Sequence, residues 1–209
     1  MEAALRHNLS HVLWIGGSTD SGKTSIARCL GEQYGLQVYH YDQHDLPQVQ
    51  RLAQSNPTYR ESLSATLEEN WIKPTPKELV ERVLCTFQDR FPLVTKELLA
   101  LPQEPRILAE GFGLTPEFVH PLLTNINQAI WLISSPRFKL NSMLQQDKPS
   151  FRKQVSDPQK AFENLYRRDM QLAEIIKRQA QKRGLPVIEV IPSLSLEHMV
   201  AKVAQHFEL

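Results

Sequence analysis

The feature that most constrains this chain is the run IGGSTDSGKTS, Ile15 to Ser25, in which Gly17 to Thr24 fits the pattern GxxxxGK[ST] without a gap. It follows an apolar run, HVLWIG, and precedes a stretch with helical spacing, the strand–loop–helix context in which this pattern has a physical meaning. Gly17 and Gly22 let the backbone turn its N–H groups inward, and a helix starting near Lys23 points its positive end at the same spot. That is a cradle for phosphate, formed by the backbone of Gly17, Ser18, Thr19, Asp20, Ser21, Gly22, Lys23, Thr24 and Ser25. Lys23 would reach the terminal phosphates, and the Thr24 hydroxyl has the chemistry of a Mg²⁺ ligand.

A phosphate cradle needs a sheet behind it. Short runs rich in Val and Ile recur at 11–16, 36–41, 106–111, 128–134 and 186–191, apolar at successive positions as strands covered on both faces require. Helical patterns with readable ends lie between them. Thr75, Pro76 and Glu78 form a capping box ahead of KELVERVLCTFQDRF, and Asp157 and Pro158 open a second helix that Gly184 closes. Ser135 before Pro136 is a third cap. The alternation predicts a doubly wound α/β fold with a five-stranded parallel sheet, whose ligands bind beyond the carboxyl ends of the strands. A chain of 209 residues suits one such domain, 1–209. Two connections exceed a plain crossover: a mostly helical insertion at about 43–104, and a lid at about 137–168 with the polar, poorly periodic middle NSMLQQDKPSFRKQVSDP, expected to be mobile.

Composition excludes several classes. A formal net charge of +1 gives no general attraction to nucleic acid or to an anionic membrane, and no run approaches the length needed to cross a bilayer. The opening residues, MEAALRHNLSHV, lack the basic and apolar regions of a secretion signal. Cys29 and Cys85 are the only cysteines, and Cys29 falls in a predicted helix, so a reducing, cytoplasmic compartment is expected. No asparagine-lysine-x-aspartate element occurs, which argues against a GTP switch. His40 and His44 flank Asp42 but lack the third ligand of a catalytic zinc site.

The predicted strands bring three acids to one edge: Asp20 in the loop, Asp42 in YHYDQHD, and Glu110 in ILAEGFG. A carboxylate at the third strand's tip can hold Mg²⁺ through water, and one at the second strand's tip can accept the proton of an attacking hydroxyl. Asp20 would repel triphosphate by about 4 kcal/mol per unit-charge pair at close range, so its side chain should point out of the cradle. It is expected to face an acceptor pocket and bond a hydroxyl or a metal-bound water. From Arg137 to Arg183, twelve Lys or Arg face five acids, the balance of a lid that closes over phosphate.

GGSTDSGKTS, YHYDQHD and ILAEGFG, in this order, resemble the P-loop small-molecule and nucleoside kinases, particularly the uridine kinase and nicotinamide riboside kinase group. The resemblance covers the nucleotide half of the chain. It implies ATP and Mg²⁺ as cofactors, a small-molecule phosphate acceptor, Asp42 as base and Glu110 with Thr24 at the metal. It leaves oligomeric state open. The arginine series of that group is thinner here, with Arg137, Lys139, Lys148, Arg152 and Lys153, so Arg168 and then Arg152 are the expected transition-state clamps beside Lys23. Two alternatives stay open: a nucleoside monophosphate kinase, with Arg51, Arg60 and Arg82 the acceptor-phosphate candidates, and a non-catalytic ATP-binding regulatory module. Tyr59, Arg60 and Trp71 lie in the insertion expected to cover the acceptor, and Ser193 to Ser195 fall where this architecture meets adenine.

Overall fold

Strand β1, Val12–Gly17, is buried at all six positions, so it needs neighbours on both edges and helices on both faces. The computed structural model, which describes residues 2–209, supplies both. Strands β2 (Gln37–His40), β3 (Ile107–Glu110), β4 (Ala129–Ser134) and β5 (Val187–Val190) complete one parallel sheet in the order β2-β3-β1-β4-β5. Register brings Glu110 beside both Ile15 and His40, so the tips of β1, β2 and β3 share one end of the sheet.

The helices follow in chain order: α1 (Glu2–Asn8), α2 (Lys23–Tyr34), α3 (Asp45–Ala53), α4 (Pro57–Ser64), α5 (Pro76–Ala100), the single turn α6 (Pro116–Val119), α7 (Pro136–Gln145), α8 (Pro158–Lys182) and α9 (Leu196–His206). One core lies where α5 and α8 cover the sheet, around Trp14, Phe87, Trp131 and Ile176. The other lies under α2 and α9, around Ile15, Leu30, Leu132 and Val203. No helix among the described residues is long and apolar enough to cross a membrane.

The predicted caps form. Thr75 and Glu78 close the capping box of α5, Asp157 accepts from the Lys160 N–H, and Ser135 accepts from the Phe138 N–H. Gly184, at φ 64°, ends α8 with Leu185 N–H donating to Ala180 and Gly184 N–H to Gln181. The sequence reading stops the insertion's last helix at Phe91, ahead of Pro92, yet α5 runs on to Ala100. An interior proline costs about 3 kcal/mol. Beyond it, Val94 and Leu98 are wholly buried and Glu97 binds the Tyr39 hydroxyl at 2.6 Å, contacts that exist only if the helix continues.

The lid is more regular than its sequence suggests. Its first part is regular helix, α7, its last part opens α8, and the stretch 146–157 between them is irregular apart from a single 3-10 turn at Arg152–Gln154. That irregular stretch is docked: Phe151 packs on Trp71 of the insertion at 5.0 Å, Val155 and Ala161 join Ile72 in a small core, and Ser156 binds Glu68 through N–H and hydroxyl. A polar sequence without period gave no hint of these contacts, because each one is made across about 80 residues or more of chain.

Candidate active site

The loop between β1 and α2 closes as its glycines dictate. Gly17 takes φ 128° and a Cβ there would overlap the Leu132 backbone, while Gly22, at φ 82°, turns the chain into α2. The N–H groups of Lys23, Thr24 and Ser25 open the helix and lack intrahelical partners, so they face the concavity. Side chains brace the loop from behind. The Ser18 hydroxyl donates to Ser134 Oγ at 3.1 Å and accepts from the Ser134 N–H at 2.8 Å, and the Ser21 hydroxyl donates to the Ser18 carbonyl at 2.9 Å. Ser18, expected to lend its backbone to the cradle, is instead spent on bracing the loop: its N–H donates to the Leu132 carbonyl at 2.9 Å and its carbonyl accepts from Ser21 and Lys23.

Lys23 Nζ donates to the Ser18 carbonyl at 2.6 Å, arching over the loop. Burial pushes its ammonium below the usual lysine range, while Asp42, Glu110 and Asp20 pull the other way. Those three acids are therefore within electrostatic reach of Lys23. Asp42 sits in a one-turn helix, Tyr41–His44, directly after β2. It is open to the cavity, but the protein crowded around it, helped by the Glu110 charge, pushes its carboxyl above the usual aspartate range against the pull of Lys23.

Glu110 is 1 % exposed. Its Oε1 accepts from the Thr24 hydroxyl at 3.1 Å and from His40 Nδ1 at 2.8 Å, and its Oε2 is buried with no partner in the protein. A buried carboxylate oxygen left unpaired is costly unless something fills the position. With the Thr24 hydroxyl alongside, the pair fits a hard cation held partly through water. Among the described residues no cluster of three His, Cys, Asp or Glu could bind a metal by itself.

The turn bearing Asp42 is held by Arg90 of α5, which the sequence reading did not single out. Arg90 donates to Gln48 Oε1 at 2.8 Å, Asp45 Oδ1 at 2.5 Å and the Tyr41 carbonyl at 3.0 Å, and its guanidinium lies 3.8 Å from the Tyr41 ring centroid. Gly111 and Gly113 make room for that ring, since a Cβ on either would overlap it. No local signal marks Arg90: an arginine in an amphipathic helix reads as solvated until the partner is known.

Asp20 adopts φ 58° and points out of the cradle, as expected, but not toward an acceptor. Its Oδ2 accepts from Lys139 at 2.5 Å and its Oδ1 from Lys148. Burial would raise its carboxyl, yet the hydrogen bonds from the two lysines outweigh it and hold the group below the usual range. Lys139 also donates to Asp169 Oδ2 at 2.6 Å and to Thr19 Oγ1 at 2.8 Å, and Arg168 donates twice to Asp169 Oδ1, at 2.6 and 2.8 Å. Loop, α7 and α8 are joined through this network. Arg168 also lies 4.9 Å over the Trp71 ring. Arg152 pairs with Asp147 and is absent from the cavity wall. Arg60 is occupied by the Ala53 and Gln54 carbonyls, and Arg51 and Arg82 lie on exposed helix faces. His44 stacks on Tyr39 at 4.5 Å and binds Glu97 at 3.1 Å, and Tyr59 donates to Asp89 at 2.8 Å. Ser195 caps α9.

A cavity of about 700 Å³ opens over the loop. Thr19 to Ser25 and Asp42 form one wall, Phe112 and Pro192 flank it, and Phe138, Asn141 and Gln145 of α7 face them, with Lys148 at the rim.

A parallel sheet in this order, a phosphate loop after its central strand and a buried carboxylate at the tip of the next define the P-loop kinase fold. Solved structures are similar to the chain. Shikimate kinase from Acinetobacter baumannii superposes with a TM-score of 0.50 at 15 % identity, covering 93 % of this chain and 90 % of that one. An uncharacterized protein from Eubacterium ventriosum matches at TM-score 0.48 and 12 % identity over 94 % of this chain and 97 % of that one. NadR protein in complex with NR matches at TM-score 0.45 and 12 % identity, over 100 % of this chain and 54 % of that one. No family model and no curated protein sequence matches the chain.

Proposed function

We propose that this chain is an ATP- and Mg²⁺-dependent kinase that moves the γ-phosphoryl group of ATP to a hydroxyl of a small molecule, with nucleosides among the candidates. The observation that carries the reading is that Lys23, Thr24 and Asp42 line one cavity, with the buried Glu110 carboxylate bonded to the Thr24 hydroxyl at 3.1 Å behind them. The kinase fold of the chain supports it.

In this reading the backbone N–H groups of the loop and the Lys23 ammonium bind the β- and γ-phosphates. Glu110 and Thr24 hold the metal, which when bound neutralises charge on the phosphate oxygens. Asp42 orients the acceptor hydroxyl and takes its proton as the oxygen bonds to the γ-phosphorus and the bond to the departing ADP breaks. The raised proton affinity of Asp42 suits it to that task better than an ordinary aspartate. Arg168 and Lys139 stiffen the loop through Asp169.

The test is ADP release screened against nucleosides, nucleotides, sugars and amino alcohols, with Lys23→Ala as the blank. Asp42→Asn is expected to bind ATP and transfer nothing. Full activity in that variant would remove the base from the scheme. ATP binding without ADP release from any acceptor would favour the non-catalytic module.

A further inference from the structure

The cation that meets ATP at the lid side of the cradle is unassigned by the reading above, and the two arginines favoured from sequence are engaged elsewhere. We infer that Lys148 is that cation, and that Asp20 is its latch: the carboxylate holds the Lys148 ammonium at the rim of the cradle until the phosphates of the nucleotide take it over. The inference rests on the proposed binding of ATP to this loop.

Three observations carry it. Lys148 is the lid's basic residue on the wall of the 700 Å³ cavity, together with Thr19 to Ser25 and Asp42. Its backbone N–H is tied into the end of α7. Helix α7 ends at Gln145, Asp147 takes φ 50°, and the Lys148 N–H donates to the Met143 carbonyl at 2.9 Å, the closing bond of a Schellman motif. A long side chain on a pinned Cα can swing while its root stays in place.

The third observation is the asymmetry of the two Asp20 partners. Lys139 is 2 % exposed, and its three donors are all matched, to Asp20, Asp169 and Thr19. It cannot leave without stranding a buried charge. Lys148 is 34 % exposed, and Asp20 is its one ion-pair partner among the described residues. The network holds three cations, Lys139, Lys148 and Arg168, against two acids, Asp20 and Asp169, so the exchangeable positive charge is the one at the cavity. This gives the negative charge inside a phosphate loop a use: it keeps a lysine where phosphate will need it and is itself neutralised by Lys139 once that lysine moves.

The experiment is a double-mutant cycle on MgATP binding by calorimetry, with no acceptor present, using Asp20→Asn and Lys148→Met, each checked by thermal melting. Lys148→Met keeps the side-chain stem and should weaken binding about tenfold, the loss of one charge-assisted contact. Asp20→Asn frees the lysine and should tighten binding about fivefold, the upper end for a partly exposed ion pair. In the Lys148→Met background Asp20→Asn should change binding little. Unchanged affinity in Lys148→Met would overturn the assignment. Equal tightening by Asp20→Asn in both backgrounds would reduce Asp20 to simple repulsion of phosphate and overturn the latch, as would weaker binding in Asp20→Asn alone. If folded wild type and Lys23→Ala both fail to bind MgATP, the underlying reading falls and the latch with it, an outcome distinct from the others.

Discussion

Replacing Arg90 should damage both the fold and the chemistry, and the size of each effect can be worked out. The guanidinium is 2 % exposed and serves Gln48, Asp45 and the Tyr41 carbonyl. In Arg90→Ala the Gln48 side chain and the Tyr41 carbonyl lose a buried donor, at about 1–3 kcal/mol each. Asp45 is 57 % exposed, so it rehydrates and adds little. Loss of the cation against the Tyr41 ring adds about 1 kcal/mol. The expected destabilisation is about 4 kcal/mol, which for a chain of this size lowers the melting temperature by about 10 °C. Urea unfolding midpoints at constant slope measure it. Turnover should fall while KM for ATP stays near wild type, because Arg90 holds the turn carrying Asp42 and touches no part of the phosphate loop. Arg90→Lys keeps the charge but not the planar fork, so it should recover only part of both losses. A stability loss below about 1 kcal/mol in Arg90→Ala would refute the reasoning, since it would mean that the buried acceptors never depended on this donor.

Other perturbations have equally definite outcomes. The folded-state carboxyl of Asp42 titrates above its unfolded value, so its ionised form costs stability, and that cost is felt as pH rises through the folded value. Asp42→Asn should therefore be more stable than wild type near neutrality by denaturant titration, and the acid limb of kcat/KM in wild type should lie above the ordinary aspartate range of about 4. Equal stability of the two proteins at pH 7 would contradict it. Glu110→Gln should raise the Mg²⁺ concentration needed for half-maximal turnover about tenfold or more, because it removes the charge from the buried oxygen that has no protein partner; an unchanged Mg²⁺ titration would move the metal elsewhere. Gly113→Ala places a methyl in the Tyr41 ring and should cost about 1–3 kcal/mol by urea unfolding, whereas Gly35→Ala, whose Cβ meets nothing, should cost only about 1 kcal/mol for its left-handed backbone.

How much of this was legible in the residues varies with the range of the interaction. The five strands, the caps at Thr75, Ser135 and Asp157 and the Gly184 stop were readable, because each depends on neighbours within a few positions. The placement of Asp42 and Glu110 at one edge followed from strand ends and parallel pairing alone. The direction of Asp20 out of the cradle followed from Coulomb repulsion, but its destination did not, since Lys139 and Lys148 approach it from 119 and 128 residues away.

The sequence by itself determined the phosphate loop, the order in which strands and helices alternate and the acids at the strand tips. These are local patterns, written in the spacing of glycines, apolar runs and capping residues. Only the tertiary structure decided which basic residue of the lid stands at the cavity, that Arg90 is a buried clamp, that the lid is docked on Trp71, and that α5 passes through Pro92. A charged or aromatic side chain reads alike whether it ends in water or against a partner, and its energy is fixed by whatever distant segment packs beside it.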